Sequence, residues 1–96
     1  MFEKMKKLMD MQKMAKEAER RLEEIAIERS ALGGKARASV NGNQKVLSLS
    51  LDESLLAPGQ KAAVEKALVD LLNDALGDAK KEAAKAAMDM MKGLRG

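Results

Sequence analysis

The stretch Val40-Asn-Gly-Asn-Gln-Lys-Val-Leu-Ser-Leu-Ser-Leu51 lies in the middle of a 96-residue chain. Asn41-Gly42 separates two segments in which apolar and polar residues alternate. This pair is typical of a β-hairpin, because both residues tolerate the positive φ that a type I′ turn requires. Leu47, Leu49 and Leu51 alternate with serines on the exit strand. We therefore predict that the apolar face of this strand is covered by a helix.

Long charged segments with helical periodicity flank the hairpin on both sides. The first predicted helix covers about residues 2–24, where apolar residues recur at alternating spacings of three and four. The last predicted helix covers about residues 60–91 and has a broad apolar stripe. Predicted strands at about 26–32, 35–40 and 45–51 form a three-stranded antiparallel sheet. The predicted fold is α+β in the order α-β-β-β-α, with the sheet packed against the helices, as a single domain over residues 1–96.

The composition excludes several classes of function. The chain has no cysteine and no histidine, which removes disulfides, thiolate metal sites and the commonest general base. Its serines have no basic partner of the triad kind, and its carboxylates lie beside lysines on predicted helix faces. We therefore predict that the chain is not an enzyme and has no metal site, no cofactor and no small-molecule substrate.

Alanine and methionine make up much of the apolar content of the chain, which bears on its core and on where in the cell it is found. Phe2 is the only aromatic residue, so we expect a thin core that is supplemented by burial between subunits. No stretch approaches the roughly 20 apolar residues that span a bilayer. No secretory signal is visible. We therefore expect a soluble protein of the cytoplasm with no membrane partner.

Basic residues are concentrated near the start of the chain. Residues 1–21 carry seven basic and four acidic side chains, a net charge of +3. This equals the net charge of the whole chain. Lys6, Lys13 and Arg20 recur at every seventh residue opposite the apolar seam. They form either a solvated face with intrahelical ion pairs or a row of phosphate contacts. The candidate DNA-binding residues are Lys4, Lys6, Lys7, Lys13, Lys16, Arg20 and Arg21, with Lys80, Lys81 and Lys85 as second choices.

The scarcity of aromatic residues indicates which nucleic acid these side chains would bind. Recognition of single strands relies on bases that stack on aromatic rings, whereas contact with duplex phosphates needs none and is largely independent of sequence. The alternative is a protein-interaction module, because Met5, Met9 and Met14 widen the apolar face of the first helix and could present it to a partner protein.

Residues 40–56 resemble the YbaB/EbfC family of bacterial nucleoid-associated proteins. The shared pattern is an Asn-Gly hairpin, an exit strand, an acidic residue at Asp52 and the pair Leu55-Leu56. A second matching stretch is Leu71-Leu72-Asn73-Asp74-Ala75. The resemblance implies an α-β-β-β-α fold assembled as a tight homodimer with protruding helices. It also implies binding of double-stranded DNA in the nucleoid by the first and last helices, with little demand on sequence.

Overall fold

The structure, a computed structural model, describes residues 2–95, with side chains through residue 93. It contains two helices, α1 (Phe2–Glu24) and α2 (Lys61–Arg95), and three strands, β1 (Ala26–Ala31), β2 (Ala36–Asn41) and β3 (Val46–Leu51). The strands form an antiparallel sheet with β2 in the centre. This confirms the predicted fold class. Strand β2 begins and ends one residue later than predicted, and α2 extends to residue 95 rather than 91.

The core lies between α2 and one face of β1 and β2. Because side chains alternate along a strand, every second residue of β2 points towards α2. Half of the buried apolar residues in the described chain are alanines, so the core is thin, as expected from the composition. These residues are Ala36, Ala38, Val40, Leu55, Val64, Leu71, Ala75 and Ala79.

The leucines of β3 are not covered, and the prediction that a helix covers them is wrong. Leu49 is 46% exposed, Leu51 is 37% exposed and Leu47 is more exposed than either. Leu49 and Leu51 pair with Ala38 and Ala36 and therefore lie on the face of the sheet that α2 occupies. However, α2 packs on β1 and β2. One helix is about 10 Å wide, which is enough to cover two strands spaced about 4.8 Å apart but not a third.

The hairpin turn also differs from the type I′ turn that was predicted. Its positive φ of 62° falls on Gln44, whereas Asn41 and Gly42 do not have positive φ. The N–H of Gln44 donates to the carbonyl of Asn41 at 3.0 Å, and the N–H of Asn41 donates to the carbonyl of Lys45 at 3.0 Å. This is a longer loop in which the four-residue turn Asn41–Gln44 ends on a left-handed residue, another common way to connect two strands.

Gly42 is required by proximity to α1 rather than by its backbone angles. A Cβ atom at this position would lie 2.6 Å from the carbonyl oxygen of Leu22 and 3.2 Å from Cδ1 of Ile25. The first distance is shorter than real Cβ contacts, and its partner is a backbone atom that cannot rotate away. Glycine therefore allows the hairpin turn to approach the end of α1.

Gln44 adopts an unfavourable backbone conformation, which gives a prediction on stability. A left-handed conformation costs a non-glycine residue about 1–2 kcal/mol, and glycine adopts it freely. We expect Gln44→Gly to raise the free energy of unfolding by about 1 kcal/mol, measured by urea denaturation. Gln60→Gly is the control, because Gln60 does not have positive φ and should gain nothing. A Gln44→Gly protein no more stable than the wild type would contradict the prediction.

Asp52 follows β3 directly and caps the short 3-10 turn at Glu53–Leu56. Its carboxylate accepts a hydrogen bond from the N–H of Ser54 at 2.9 Å. This bond, a second one from the Ser54 hydroxyl and the nearby charge of Lys35 lower the pKa of Asp52 below its ordinary value. The charged form is therefore favoured in the folded state, and its contribution to stability is lost as the pH falls through that lowered pKa.

Candidate nucleic-acid interface

Both helices extend beyond the same end of the sheet, the end at which the hairpin turn lies. The C-terminal end of α1 contacts this turn at Gly42. Helix α2 begins at the opposite end, where Leu71 packs in one cluster with Ala36 and Ala38. Ala75 and Ala79 then pack beside Val40, close to the turn. The rest of α2 continues past the sheet beside α1, and the molecule is 67 Å long.

A groove of about 410 Å³ separates the two projecting helices. Its lining combines apolar and charged side chains from the second half of α1 and the end of α2. The lining residues are Met14, Glu17, Ala18, Arg21, Asp89, Met90 and Gly93. The groove shows that the end of α2 lies beside residues 14–21, so the first dozen residues of α1 project further than α2 does.

All ten candidate DNA-binding residues are exposed, and the fold brings them to one end of the molecule. The seven on α1 lie along the projecting helix, and Lys80, Lys81 and Lys85 lie on the part of α2 that follows Ala79. The sequence spacing could only show which candidate residues share one face of a helix. The sheet topology shows that the basic parts of the two helices lie at the same end of the molecule.

The candidate arginines and lysines differ in their surroundings. Arg20 lies 3.8 Å from Glu17 and 3.5 Å from Glu24, and Arg21 lies 3.5 Å from Glu17. These are intrahelical ion pairs of the kind expected if the basic row is a solvated helix face. Within residues 2–93, no candidate lysine lies within ion-pair distance of a carboxylate. Exposed helical ion pairs are worth only about 0.3–0.5 kcal/mol, so the arginines can still exchange these carboxylates for phosphates.

Charge is strongly polarised between the projecting helices and the rest of the chain. Residues 1–21 carry seven basic and four acidic residues, and residues 80–95 carry five basic and two acidic ones. Each segment therefore has a net charge of +3. Residues 22–79 carry six basic and nine acidic residues, a net charge of −3. A polyanion is attracted to the projecting helices and repelled by the rest of the chain.

An ion pair that was not predicted joins the sheet to α2. Arg29 Nη1 donates to Asp78 Oδ2 at 3.0 Å, linking β1 to the middle of α2. Arg29 alternates with Ile27 and Ala31, and this period of two places all three on the face towards α2. That alternation could have identified Arg29 from the sequence. The pair also neutralises the acidic residue that precedes Lys80.

The apolar seam of α1 is buried only near its C-terminal end. Ala18, Leu22 and Ile25 are half-buried, whereas Leu8, Met11 and Ala15 are exposed. Phe2, at the start of the helix, is 89% exposed, and Met5, Met9 and Met14 are also exposed. The first half of the helix therefore presents both an apolar face and a row of lysines.

Residues 2–95 contain no group of three or more acidic side chains arranged to hold a metal ion. No helix among these residues is long and apolar enough to cross a membrane.

Comparison with known proteins identifies relatives along nearly the whole length of the chain. Residues 1–94 match the YbaB/EbfC DNA-binding family. A nucleoid-associated protein of Caulobacter sp. (strain K31) is 34% identical, with 96% of this chain and 91% of that protein covered. A nucleoid-associated protein of Rhodopseudomonas palustris (strain BisA53) is also 34% identical, with 96% and 84% covered. An uncharacterised protein from Helicobacter pylori has a similar crystal structure, with a TM-score of 0.69, 26% identity and 86% and 96% of the two chains covered. The chain therefore belongs to the YbaB/EbfC DNA-binding family of nucleoid-associated proteins.

Proposed function

We propose that this protein binds duplex DNA in the bacterial nucleoid, with little dependence on base sequence, through the projecting helices of a homodimer. The polarised charge is the observation that carries the proposal. Two segments of charge +3 extend from one end of a sheet-containing unit of charge −3. Such a distribution favours one orientation of the protein on a polyanion and raises the rate of encounter.

The residue types on the projecting helices support binding to duplex phosphates. Exposed lysines and arginines contact phosphate oxygens without reading the base edges. We propose Lys6, Lys13 and Lys16 as the main contacts, because they follow the basic row of α1 opposite its apolar seam and, unlike Arg20, have no carboxylate partner within ion-pair distance in the described chain. Arg20 and Arg21 would contribute after exchanging their ion pairs. The remaining candidates, Lys4, Lys7, Lys80, Lys81 and Lys85, would extend the basic surface.

The uncovered strand β3 supports the homodimer. It is an edge strand with the apolar residues Val46, Leu47, Leu49 and Leu51 exposed. An exposed apolar edge strand promotes aggregation unless another surface covers it. A second copy is the proposed cover. The described part of the chain buries eight apolar residues, half of them alanine, which leaves a single chain with little burial of its own.

Binding of random-sequence duplex DNA at two salt concentrations tests the proposed function. If six phosphates are neutralised, affinity should fall by about a thousandfold between 50 and 200 mM salt. A single strand of the same length should bind more weakly, since the projecting helices carry Phe2 as their one aromatic side chain. Sedimentation without DNA gives the subunit number. Duplex binding that is equal at both salt concentrations would refute phosphate contact.

The exposed methionines of α1 favour a second candidate, a surface for a partner protein. An apolar helix face with adaptable methionine side chains suits insertion into a groove of another protein. Such binding would depend weakly on salt and would be lost in a Met5/Met9/Met14→Gln variant. The duplex-binding proposal expects the same variant to keep its salt-dependent affinity for DNA.

A further inference from the structure

The contacts of α1 with the sheet are concentrated at its C-terminal end. The carbonyl of Leu22 accepts two hydrogen bonds, from the N–H of Gly42 at 2.8 Å and from the N–H of Ile25 at 3.2 Å. One turn earlier, the carbonyl of Glu19 accepts a hydrogen bond from Asn43 Nδ2 at 3.1 Å. The last carbonyls of a helix have no partner within the helix. Here the hairpin turn supplies such a partner to Leu22 from a different part of the chain.

The turn that makes these contacts is itself held in one conformation. Asn41 is buried, and its side-chain oxygen accepts hydrogen bonds from the N–H groups of Asn43 at 2.9 Å and Lys45 at 3.2 Å. Both neighbours of Gly42 are therefore fixed. A Cβ atom at Gly42 would lie 2.6 Å from the carbonyl oxygen of Leu22, so the turn packs against the end of α1 with no space for a side chain between them.

We propose that the Asn41–Asn43 turn sets the direction in which α1 projects, and that Gly42 and Asn43 are positioning residues for DNA binding. The proposal rests on the proposed function. Neither residue carries a charge, and both act through α1. A helix of 23 residues is about 34 Å long, so a change of 10° at its C-terminal end moves its first residue by about 6 Å. That movement is comparable to the spacing of neighbouring phosphates on one strand.

Two variants test the proposal without changing the charge of the protein. Gly42→Ala places a methyl group against the Leu22 carbonyl, and Asn43→Ala removes the hydrogen bond to Glu19. The controls are Gly77→Ala, where a Cβ meets no atom within 4 Å, and Asn73→Ala, at an exposed position on α2. Circular dichroism establishes that each variant is folded. If Gly42→Ala does not fold, Asn43→Ala alone decides the test.

The direction of α1 is measured as a distance between two spin labels. The chain has no cysteine, so Gln12→Cys and Gln60→Cys introduce two unique attachment sites at exposed positions. Mixing the labelled protein with an excess of unlabelled protein leaves most labelled dimers with one labelled chain, so the measured distance is the one within a chain. Each turn variant should shift or broaden the distance distribution, and neither control should.

The slope of affinity against salt concentration provides the functional measurement. If a redirected α1 loses two phosphates, the change in affinity between 50 and 200 mM salt becomes about twelvefold smaller than in the wild type, because each contact contributes about 0.9 to the log–log slope. An unchanged distance distribution in a folded variant would overturn the proposal. So would a changed distribution with unchanged affinity and slope. Absence of salt-dependent binding by the wild type would instead refute the proposed function, while the distances still report whether the turn directs α1.

Discussion

Replacing Lys6, Lys13 and Lys16 with glutamine should weaken duplex binding and flatten its dependence on salt. Each neutralised phosphate contributes about 0.9 to the log–log slope, so a homodimer that loses three contacts in each chain loses six in all, and its slope falls by about 5.4. Between 50 and 200 mM salt, the wild-type affinity would then fall about a thousandfold more than that of the variant. Fluorescence anisotropy with a labelled duplex of random sequence measures both slopes.

A matched triple variant separates local contacts from net charge. Lys35, Lys61 and Lys66 are also exposed lysines, but they lie on or beside the half of the fold away from the hairpin turn. Lys35/Lys61/Lys66→Gln changes the net charge by the same amount and should leave most of the salt slope intact. Equal losses in the two triple variants would show that DNA responds to total charge rather than to the lysines of α1.

Replacing Leu49 with glutamate should dissociate the proposed homodimer. Leu49 lies in the middle of the uncovered apolar face of β3, and a carboxylate there would be buried without a partner by the second copy. An uncompensated buried charge costs about 3–5 kcal/mol, which weakens association by about 100-fold or more. Sedimentation equilibrium across a range of protein concentrations measures this change.

Ser50→Glu is the control for this prediction. Ser50 is adjacent on the same strand and is exposed, but it points to the opposite, serine-rich face of the sheet. The same charge on that face should leave the subunit number unchanged. A Leu49→Glu protein with the wild-type subunit number would show that β3 is not the surface on which two copies meet. Dissociation by Ser50→Glu alone would place the interface on the other face.

Local patterns were sufficient to predict the helices, the strands and their antiparallel order. The alternation in 46–51 and the three-four spacing in α1 each depend on neighbours in the sequence. The exposure of Leu49 was not predictable in this way, because it depends on which two of the three strands α2 covers. The apolar face of the strand was predicted correctly, but the absence of a helix over it was not.

Gly42 illustrates a different limit of sequence interpretation. Glycine is compatible with a positive φ and with a close approach, and its occurrence after Asn41 favoured the first explanation. The structure supports the second, since the positive φ belongs to Gln44 and the Leu22 carbonyl occupies the space beside Gly42. The backbone angles of Gly42 and its distance from Leu22, 20 residues earlier in the chain, distinguish these explanations.

The choice of candidate residues and their placement at one end of the molecule both follow from the sequence pattern, whereas the ion pairs of each side chain do not. Charge and spacing identified the lysines of α1, whereas the carboxylate partners of Arg20 and Arg21 required side-chain geometry. The joint projection of α1 and α2 follows from topology. With three antiparallel strands between them, the first helix ends and the second helix finishes at the same end of the sheet. The predicted strand count therefore already contained this relation.

The acidic charge of residues 22–79 has a consequence for how many DNA molecules one protein can hold. A dimer that binds a duplex with its basic helices would expose residues 22–79 of both chains to the solvent, each segment with a net charge of −3. A second duplex would then approach a negative surface and be repelled over about 10 Å at 0.1 M salt. Dimers bound side by side would therefore coat one segment of the chromosome. They would not bridge two neighbouring segments.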